Sequence, residues 1–172
     1  FGLWNMQICS LDGAGSVEGR VVFLLGTFDG VHKGHQALLE SARDVAREEK
    51  IAQIVAVVLS SPPRGVVEAA KCDGKKCEVI TKPFHKRKLL KECGVTVLME
   101  ADFTPEIQKM TASSFLDYLM ERYKIAFWVT GSDAKLGCDR EGVESFVGKR
   151  INVLSVPRGP GDASSTEIRD LI

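Results

Sequence analysis

The sequence predicts an α/β fold, a Rossmann-like doubly wound parallel sheet of about five strands with helices on both faces. Between the predicted strands lie segments with helical periodicity, and alternation of this kind is typical of parallel sheets with right-handed crossovers. The strands themselves are short, β-branched and continuously apolar, as expected of strands buried on both faces. They are predicted at residues 21–25, 54–59, 95–100, 125–130 and 151–156.

The segments between the strands carry the signals of amphipathic helices. HQALLESARDVAREE has one apolar stripe opposite its charges. KRKLLKECG ends on Gly94, a suitable C-cap. TASSFLDYLMERY offers Thr111 as an N-cap, with Phe115, Leu116 and Leu119 facing inward. Two shorter helices are predicted in REGVESFVGK and STEIRDLI, and Trp128 is expected in the core of its strand.

Length, charge and cysteine usage indicate one cytoplasmic domain. The 172 residues suffice for a full core, and 23 basic residues balance 23 acidic ones, which gives no reason to expect nucleic acid or a membrane surface as a partner. No apolar run approaches the roughly 20 residues of a membrane span. The five cysteines are an odd number and widely spread, as in a reducing compartment. Residues 60–82 lack periodicity and are interpreted as a functional loop.

The stretch GTFDGVHKGH at residues 26–35 follows the first strand and predicts a polyphosphate site. His32 and His35 are three residues apart, so on a helix that begins near His32 they face one spot. The first N–H groups of a helix have no partner within it, and its dipole favours anions there. Gly34 allows a phosphate to approach the backbone, and imidazole N–H groups can bind its oxygens as charge develops.

Other interpretations of these residues stay open. The two histidines could be a metal pair, although His85, the third histidine of the chain, lies far away in a helical pattern. They could also be turn histidines with no ligand. A dinucleotide fingerprint is disfavoured because GxGxxG is absent. Cys72 and Cys77 form a CxxxxC pair, which alone is a weak signal for metal or redox chemistry.

Two motifs in order resemble one family. GTFDGVHKGH is similar to the HxGH signature of the nucleotidyltransferases, in the version of the FAD synthetase (FMN adenylyltransferase) module of bacterial riboflavin kinase/FAD synthetases. ASSTEIRDLI, near the end of the chain, resembles the ISSTxIR signature of that family. The segments SSPPRGVV, ITKPFHKRKLLKECGV and GSDAKLG lie between the two motifs, where the family has a PHP segment, a helix and a nucleotide-contacting turn.

The resemblance implies transfer of AMP from ATP to FMN with Mg²⁺, giving FAD and pyrophosphate by direct in-line attack. It implies that His32 and His35 stabilise the α-phosphoryl group and that Arg169 holds the leaving pyrophosphate, with no residue assigned as a metal ligand. The residues it implies in nucleotide binding are Gly26, Thr27, Phe28, Asp29, Gly34, Pro63, Arg64, Asp133, Ser164, Ser165 and Thr166. Ala134 and Leu136 replace two aromatic residues of the family, and Pro62 replaces a histidine.

Two alternatives to this function remain. A related nucleotidyltransferase would use another acceptor, such as pantetheine phosphate, nicotinamide mononucleotide or a cytidylyl acceptor. A degenerate domain would bind adenine nucleotide or flavin without turnover. Residues 1–172 are interpreted as a single nucleotidyltransferase domain without the riboflavin kinase domain, because the sequence ends two residues beyond Asp170. Either the protein is a standalone adenylyltransferase or this sequence omits the rest of it.

Overall fold

A six-stranded, all-parallel sheet forms the centre of the molecule. The structure, a computed structural model, describes residues 5–11, 17–28, 33–59, 83–102, 104–143, 147, 150–157 and 159. The strands lie in the order β1-β4-β3-β2-β5-β8. Their bounds are β1 Gln7–Ser10, β2 Arg20–Gly26, β3 Gln53–Leu59, β4 Val97–Ala101, β5 Lys124–Gly131 and β8 Asn152–Val156. A separate antiparallel hairpin consists of β6 (Lys135–Leu136) and β7 (Glu141–Gly142).

The predicted α/β fold and its five strands are confirmed, but the sheet has six strands rather than about five. The additional strand, β1, pairs in parallel with β4 at one edge of the sheet, with Gln7 opposite Val97 and Ser10 opposite Glu100. Both Gln7 and Ser10 are exposed. An edge strand with polar residues has no continuous apolar run, so the pattern that identified the buried strands could not find it.

Each central strand is buried on both faces, which explains its continuous hydrophobicity. In β2, Val21 and Phe23 belong to one core, and Val22 and Leu24 belong to the other. All four side chains are fully buried, because successive residues of a strand point to opposite faces and both faces are covered. Trp128 is also buried, with its ring centroid 4.7 Å from that of Phe23, so its predicted core position is confirmed.

Four helices cover the sheet within the described residues: α1 Lys33–Glu48, α2 Pro83–Glu92, α3 Pro105–Lys109 and α4 Ala112–Arg122. Thr111 caps α4 as predicted, because its side chain accepts a hydrogen bond from the Ser114 N–H at 3.2 Å. Gly94 follows α2 with φ +93°, a conformation that suits glycine. The prediction of one helix over REGVESFVGK is wrong at its start, because Glu141–Gly142 is a strand, β7.

Candidate functional site

The strand order creates a crevice between β2 and β5. The chain passes from β2 to β3 on one side, whereas β5 pairs with β2 on the other side. Leu24 lies opposite Val129, so the two strands end side by side at Gly26 and Gly131. Ligands of open parallel sheets bind at such a point, beyond the carboxyl ends of the strands where the order reverses.

The corner between β2 and α1 is tightly built around Phe28. This residue has φ +47° and its side chain is 1% exposed. A left-handed conformation costs a non-glycine residue about 1–3 kcal/mol, and it persists only where the surroundings enforce it. A Cβ atom on Gly26 would lie 3.2 Å from the Phe28 ring, so the absence of a side chain at position 26 lets the ring fold back beneath the strand end.

His35 lies in the first turn of α1 against the Phe28 ring. The centroids of the two rings are 5.0 Å apart, and the Nδ1 atom of His35 is buried. Gly34, one residue earlier, is half-buried. The N-terminus of this 16-residue helix therefore lies at the carboxyl edge of the sheet, where its dipole favours an anion.

Helix α2 contacts the same corner through Lys86. The Lys86 Nζ donates a hydrogen bond to the Thr27 carbonyl oxygen at 2.9 Å. The next residue, Arg87, donates to both carboxylate oxygens of Glu100 at the end of β4, at 2.7 and 2.6 Å. These hydrogen bonds, together with the positive charges of Arg87 and Lys86, hold the pKa of the Glu100 carboxyl below its ordinary value although partial burial opposes the shift. The first half of α2 is thus fixed to the carboxyl edge.

An apolar cavity of about 280 Å³ opens at this edge, on the sheet face that α4 covers. We call it the carboxyl-edge cavity. Leu25 and Leu59, near the ends of β2 and β3, line it together with Phe115 of α4 and Leu136 of the hairpin. Its wall also includes Ile107, Gln108, Lys135, Gly137, Cys138 and Arg140.

The β6–β7 hairpin is fixed against the start of α4. The Cys138 N–H donates to the Met110 carbonyl oxygen, and the Ala112 N–H donates to Asp139 Oδ1, both at 2.9 Å. Gly137 has φ +73°, and a Cβ atom there would lie 2.2 Å from the Ala112 nitrogen. Only glycine fits this close approach, so the cavity wall depends on the residue at position 137.

Comparison with known proteins identifies the family. A family model described as FAD synthetase matches residues 15–156. The chain belongs to the FAD synthetase family. It is 32% identical over 122 residues to the bifunctional riboflavin kinase/FMN adenylyltransferase of Escherichia coli K12, a match that covers 70% of this chain and 37% of that protein. It is 27% identical over 176 residues to the FAD synthetase of Listeria monocytogenes, covering 97% of this chain and 70% of that one.

A solved structure shares the fold. The crystal structure of a macrolide-efflux protein from Streptococcus pneumoniae matches with a TM-score of 0.83 and 27% identity, over 98% of this chain and 57% of that one. The present chain therefore spans little more than a third of the E. coli relative and little more than half of the pneumococcal protein. Within the residues that the structure describes, none of the helices is long and apolar enough to cross a membrane.

Part of the site implied by the FAD synthetase resemblance comes together in the structure. Five residues lie around the β2–α1 corner: Gly26, Thr27, Phe28, Gly34 and His35. Asp133 is exposed in the turn that follows β5, the strand next to β2. The other implied residues lie outside the described ranges: Asp29, His32, Pro63, Arg64, Ser164, Ser165, Thr166 and Arg169. The pair Cys72 and Cys77 and the helix predicted in STEIRDLI also lie outside these ranges.

The sequence prediction missed two features of this FAD synthetase fold. The first is the carboxyl-edge cavity, because leucines at strand ends are indistinguishable from ordinary core residues in one sequence. The second is Lys86, for which a signal exists. It is three and four residues before Leu89 and Leu90, so a helix places this amine on the same side as the apolar stripe. A polar side chain on the inward-facing side of a helix is expected to form a hydrogen bond within the protein. For Lys86 the acceptor is the Thr27 carbonyl oxygen.

Proposed function

We propose that the chain transfers AMP from ATP to FMN, giving FAD and pyrophosphate. Membership of the FAD synthetase family supports this reaction. The observation that carries the proposal is that an anion-compatible helix corner and an apolar cavity lie at the same carboxyl edge of a parallel sheet. FMN needs both kinds of surface, because its ring system is largely apolar and aromatic while its phosphate is anionic.

The ATP phosphates would lie at the β2–α1 corner. The amides of the first turn of α1 can donate to phosphate oxygens there, and the helix dipole stabilises negative charge. Since the Nδ1 atom of His35 is buried, the Nε2 atom is the nitrogen that we assign to the α-phosphoryl group. We also assign His32 to the phosphates, and Asp133 would contact the nucleotide from the end of β5.

The isoalloxazine ring of FMN would occupy the carboxyl-edge cavity. Its walls are mainly apolar, with Leu136 only 3% exposed where the family has an aromatic residue. Aliphatic side chains can bury a flat ring through dispersion contacts and exclusion of solvent, whereas an aromatic residue would also stack on the ring. We propose that Pro63 and Arg64 hold the acceptor near its phosphate, and that Arg64 pairs with that phosphate.

The reaction needs no covalent intermediate on the protein. A phosphate oxygen of FMN attacks the α-phosphorus of ATP, an O–P bond forms, and the bond to the β-phosphate bridging oxygen breaks as pyrophosphate leaves. Positioning and charge stabilisation supply the catalysis. Ser164, Ser165 and Thr166 would bind the β- and γ-phosphates with their hydroxyls and amides, and Arg169 would hold the leaving group.

We propose that a Mg²⁺ ion is held mainly by the substrate phosphates. Mg²⁺ commonly binds one or two carboxylates together with substrate phosphates and keeps several waters. When bound, the ion neutralises phosphate charge, while the protein positions the two nucleotides.

Incubation of the purified chain with ATP, Mg²⁺ and FMN tests the proposal. We expect FAD and pyrophosphate in equal amounts, measured by chromatography and a pyrophosphate assay. Reactions with pantetheine phosphate, nicotinamide mononucleotide or cytidylyl acceptors in place of FMN serve as controls. Pyrophosphate release with one of those acceptors alone would overturn FMN as the acceptor. Binding of ATP or FMN by calorimetry without any product would instead identify a binding domain.

A further inference from the structure

We infer that Lys86 is a positioning residue for the nucleotide corner, acting through the backbone of Thr27; this inference rests on the proposed function of that corner. Its Nζ donates to the Thr27 carbonyl oxygen at 2.9 Å from an element 59 residues further along the chain. Neither the resemblance nor the family match gives this lysine a role.

The hydrogen bond fixes the orientation of one peptide plane. In a trans peptide, the carbonyl of Thr27 and the N–H of Phe28 point in opposite directions. Lys86 lies on α2, whose next residue, Arg87, binds Glu100 at the end of β4. The Thr27 carbonyl therefore points toward α2, and the Phe28 N–H points away from that helix.

The Thr27–Phe28 peptide is held in a conformation that needs an external constraint. Phe28 holds φ +47°, a conformation that few residues of this type adopt, and its ring supports the His35 ring at 5.0 Å. Without the Lys86 hydrogen bond, rotation of the Thr27–Phe28 peptide would release the left-handed conformation. The position of His35 depends on the same ring contact, so it would shift with the peptide.

Lys86 can constrain the corner because its own helix is fixed. Arg87 binds both oxygens of the Glu100 carboxylate, and a bidentate pair of this kind sets direction as well as distance. Leu90, one turn further along α2, is fully buried in the core beneath α1. Anchored on both sides, the helix presents the Lys86 amine from a rigid element.

The test compares Lys86→Met with Lys86→Arg, using Lys88→Met as the matched control on the exposed side of the same helix. We expect Lys86→Met to lower kcat for FAD formation about tenfold to a hundredfold, the range caused by small misplacement of reacting groups. It should also weaken ATP binding measured by calorimetry about tenfold, while FMN binding measured by flavin fluorescence changes less than about twofold. Lys86→Arg should recover most of both losses, and Lys88→Met should match the wild type.

Three results would overturn the inference. The first is a Lys86→Met protein whose ATP affinity and kcat are within twofold of wild type. The second is a Lys86→Met protein that loses ATP affinity and FMN affinity equally, and the third is a Lys86→Arg protein that recovers neither ATP affinity nor kcat. If Lys86→Met unfolds below the assay temperature, Lys86→Gln takes its place with the same expected losses. A wild-type chain that binds ATP but forms no FAD would refute the proposed reaction, and the ATP-binding arm would still test Lys86.

Discussion

Two cavities at opposite edges of the same sheet differ in size, lining and surroundings. The larger, about 620 Å³, lies at the amino edge between the last turns of α1 and α2, and we call it the amino-edge cavity. Its lining mixes Arg43, Arg47 and Lys91 with Glu40 and Glu92 and with apolar residues around the start of β3. The carboxyl-edge cavity is less than half as large, about 280 Å³, and mainly apolar.

The smaller cavity is the better candidate because of what surrounds it. A helix N-terminus, a strained corner and two residues of the resemblance, His35 and Asp133, lie at the carboxyl edge. The amino edge of a parallel sheet has helix C-termini instead, whose partial negative charge disfavours anions. Volume alone would favour the amino edge, whereas the polarity of the helices and the strand order favour the carboxyl edge.

The largest effect that separates the two edges should come from His35→Ala. Removing one preorganised donor from a site of developing charge typically lowers kcat by about a hundredfold. The matched control is His85→Ala, an exposed histidine near the start of α2. We expect His85→Ala to retain activity within about twofold, as is usual for exposed positions that bind nothing. Full activity in a folded His35→Ala protein would remove this histidine from the mechanism and weaken the assignment of the carboxyl edge.

Gly137→Ala and Gly94→Ala compare the cavity walls directly. Both glycines have positive φ, so each substitution introduces about 1–2 kcal/mol of backbone strain. At position 137 the new Cβ also meets the Ala112 backbone nitrogen at 2.2 Å, whereas at position 94 it meets the flexible Arg43 side chain at 3.0 Å.

Both variants should therefore unfold at a lower denaturant concentration than the wild type. Only Gly137→Ala should weaken FMN binding, by about tenfold, because it displaces residues that line the proposed flavin site. Urea unfolding and flavin fluorescence measure the two quantities separately. Equal FMN affinity in the two variants would show that the hairpin wall does not belong to the flavin site.

The sequence predicted the buried strands and the corner better than it predicted the cavity. Continuous apolar runs find strands such as β2 because both faces are covered, and the same logic misses β1, an edge strand with polar residues. GTFDGVHKGH indicated an anion site through local helix geometry alone. The Lys86–Thr27 and Asp139–Ala112 contacts join residues 59 and 27 positions apart, and no local pattern specifies which partners tertiary folding brings together.

Asp139→Ala tests whether the hairpin is held by its hydrogen bond to α4. The Asp139 carboxylate accepts from the Ala112 N–H at the first residue of that helix, and loss of a capping acceptor costs about 1 kcal/mol of unfolding free energy. Thr111→Ala removes a second acceptor from the same turn at a similar cost, but Thr111 lines neither cavity.

Urea unfolding should show similar losses in the two variants. FMN affinity should fall about threefold to fivefold in Asp139→Ala only. The substitution removes one hydrogen bond between the hairpin and α4, so the hairpin is held less firmly but still lines the cavity. Asp139→Asn, which keeps an acceptor oxygen, should recover most of the affinity. A Thr111→Ala protein with the same loss of FMN affinity would mean that α4 stability, rather than the hairpin, controls the cavity.

The smallest expected effect is on stability, and it comes from two ion pairs of α2, one near the carboxyl edge of the sheet and one near the amino edge. Glu100 binds Arg87 near the carboxyl edge, whereas Glu92 lies 3.9 Å from Lys88 near the amino edge. The pair with Arg87 lowers the folded-state pKa of Glu100. The ion pair therefore stabilises the fold fully above the unfolded-state pKa of Glu100, and this stabilisation is lost as pH falls through the folded-state pKa. The side chains of the pair are 42% and 37% exposed, so solvent limits the contribution to about 1 kcal/mol or less.

The difference in unfolding free energy between wild type and Glu100→Gln should therefore be constant from about pH 6 to 7 and shrink below about pH 4.5. Arg87→Met should remove the same pH dependence, because the pKa shift of Glu100 depends mainly on the Arg87 hydrogen bonds. At pH 7, Glu92→Gln should cost less than Glu100→Gln, since its pair with Lys88 is longer and more exposed. Equal costs would mean that the carboxyl-edge end of α2 is held no more firmly than its amino-edge end, and Lys86 would then lack the rigid support that its positioning role requires.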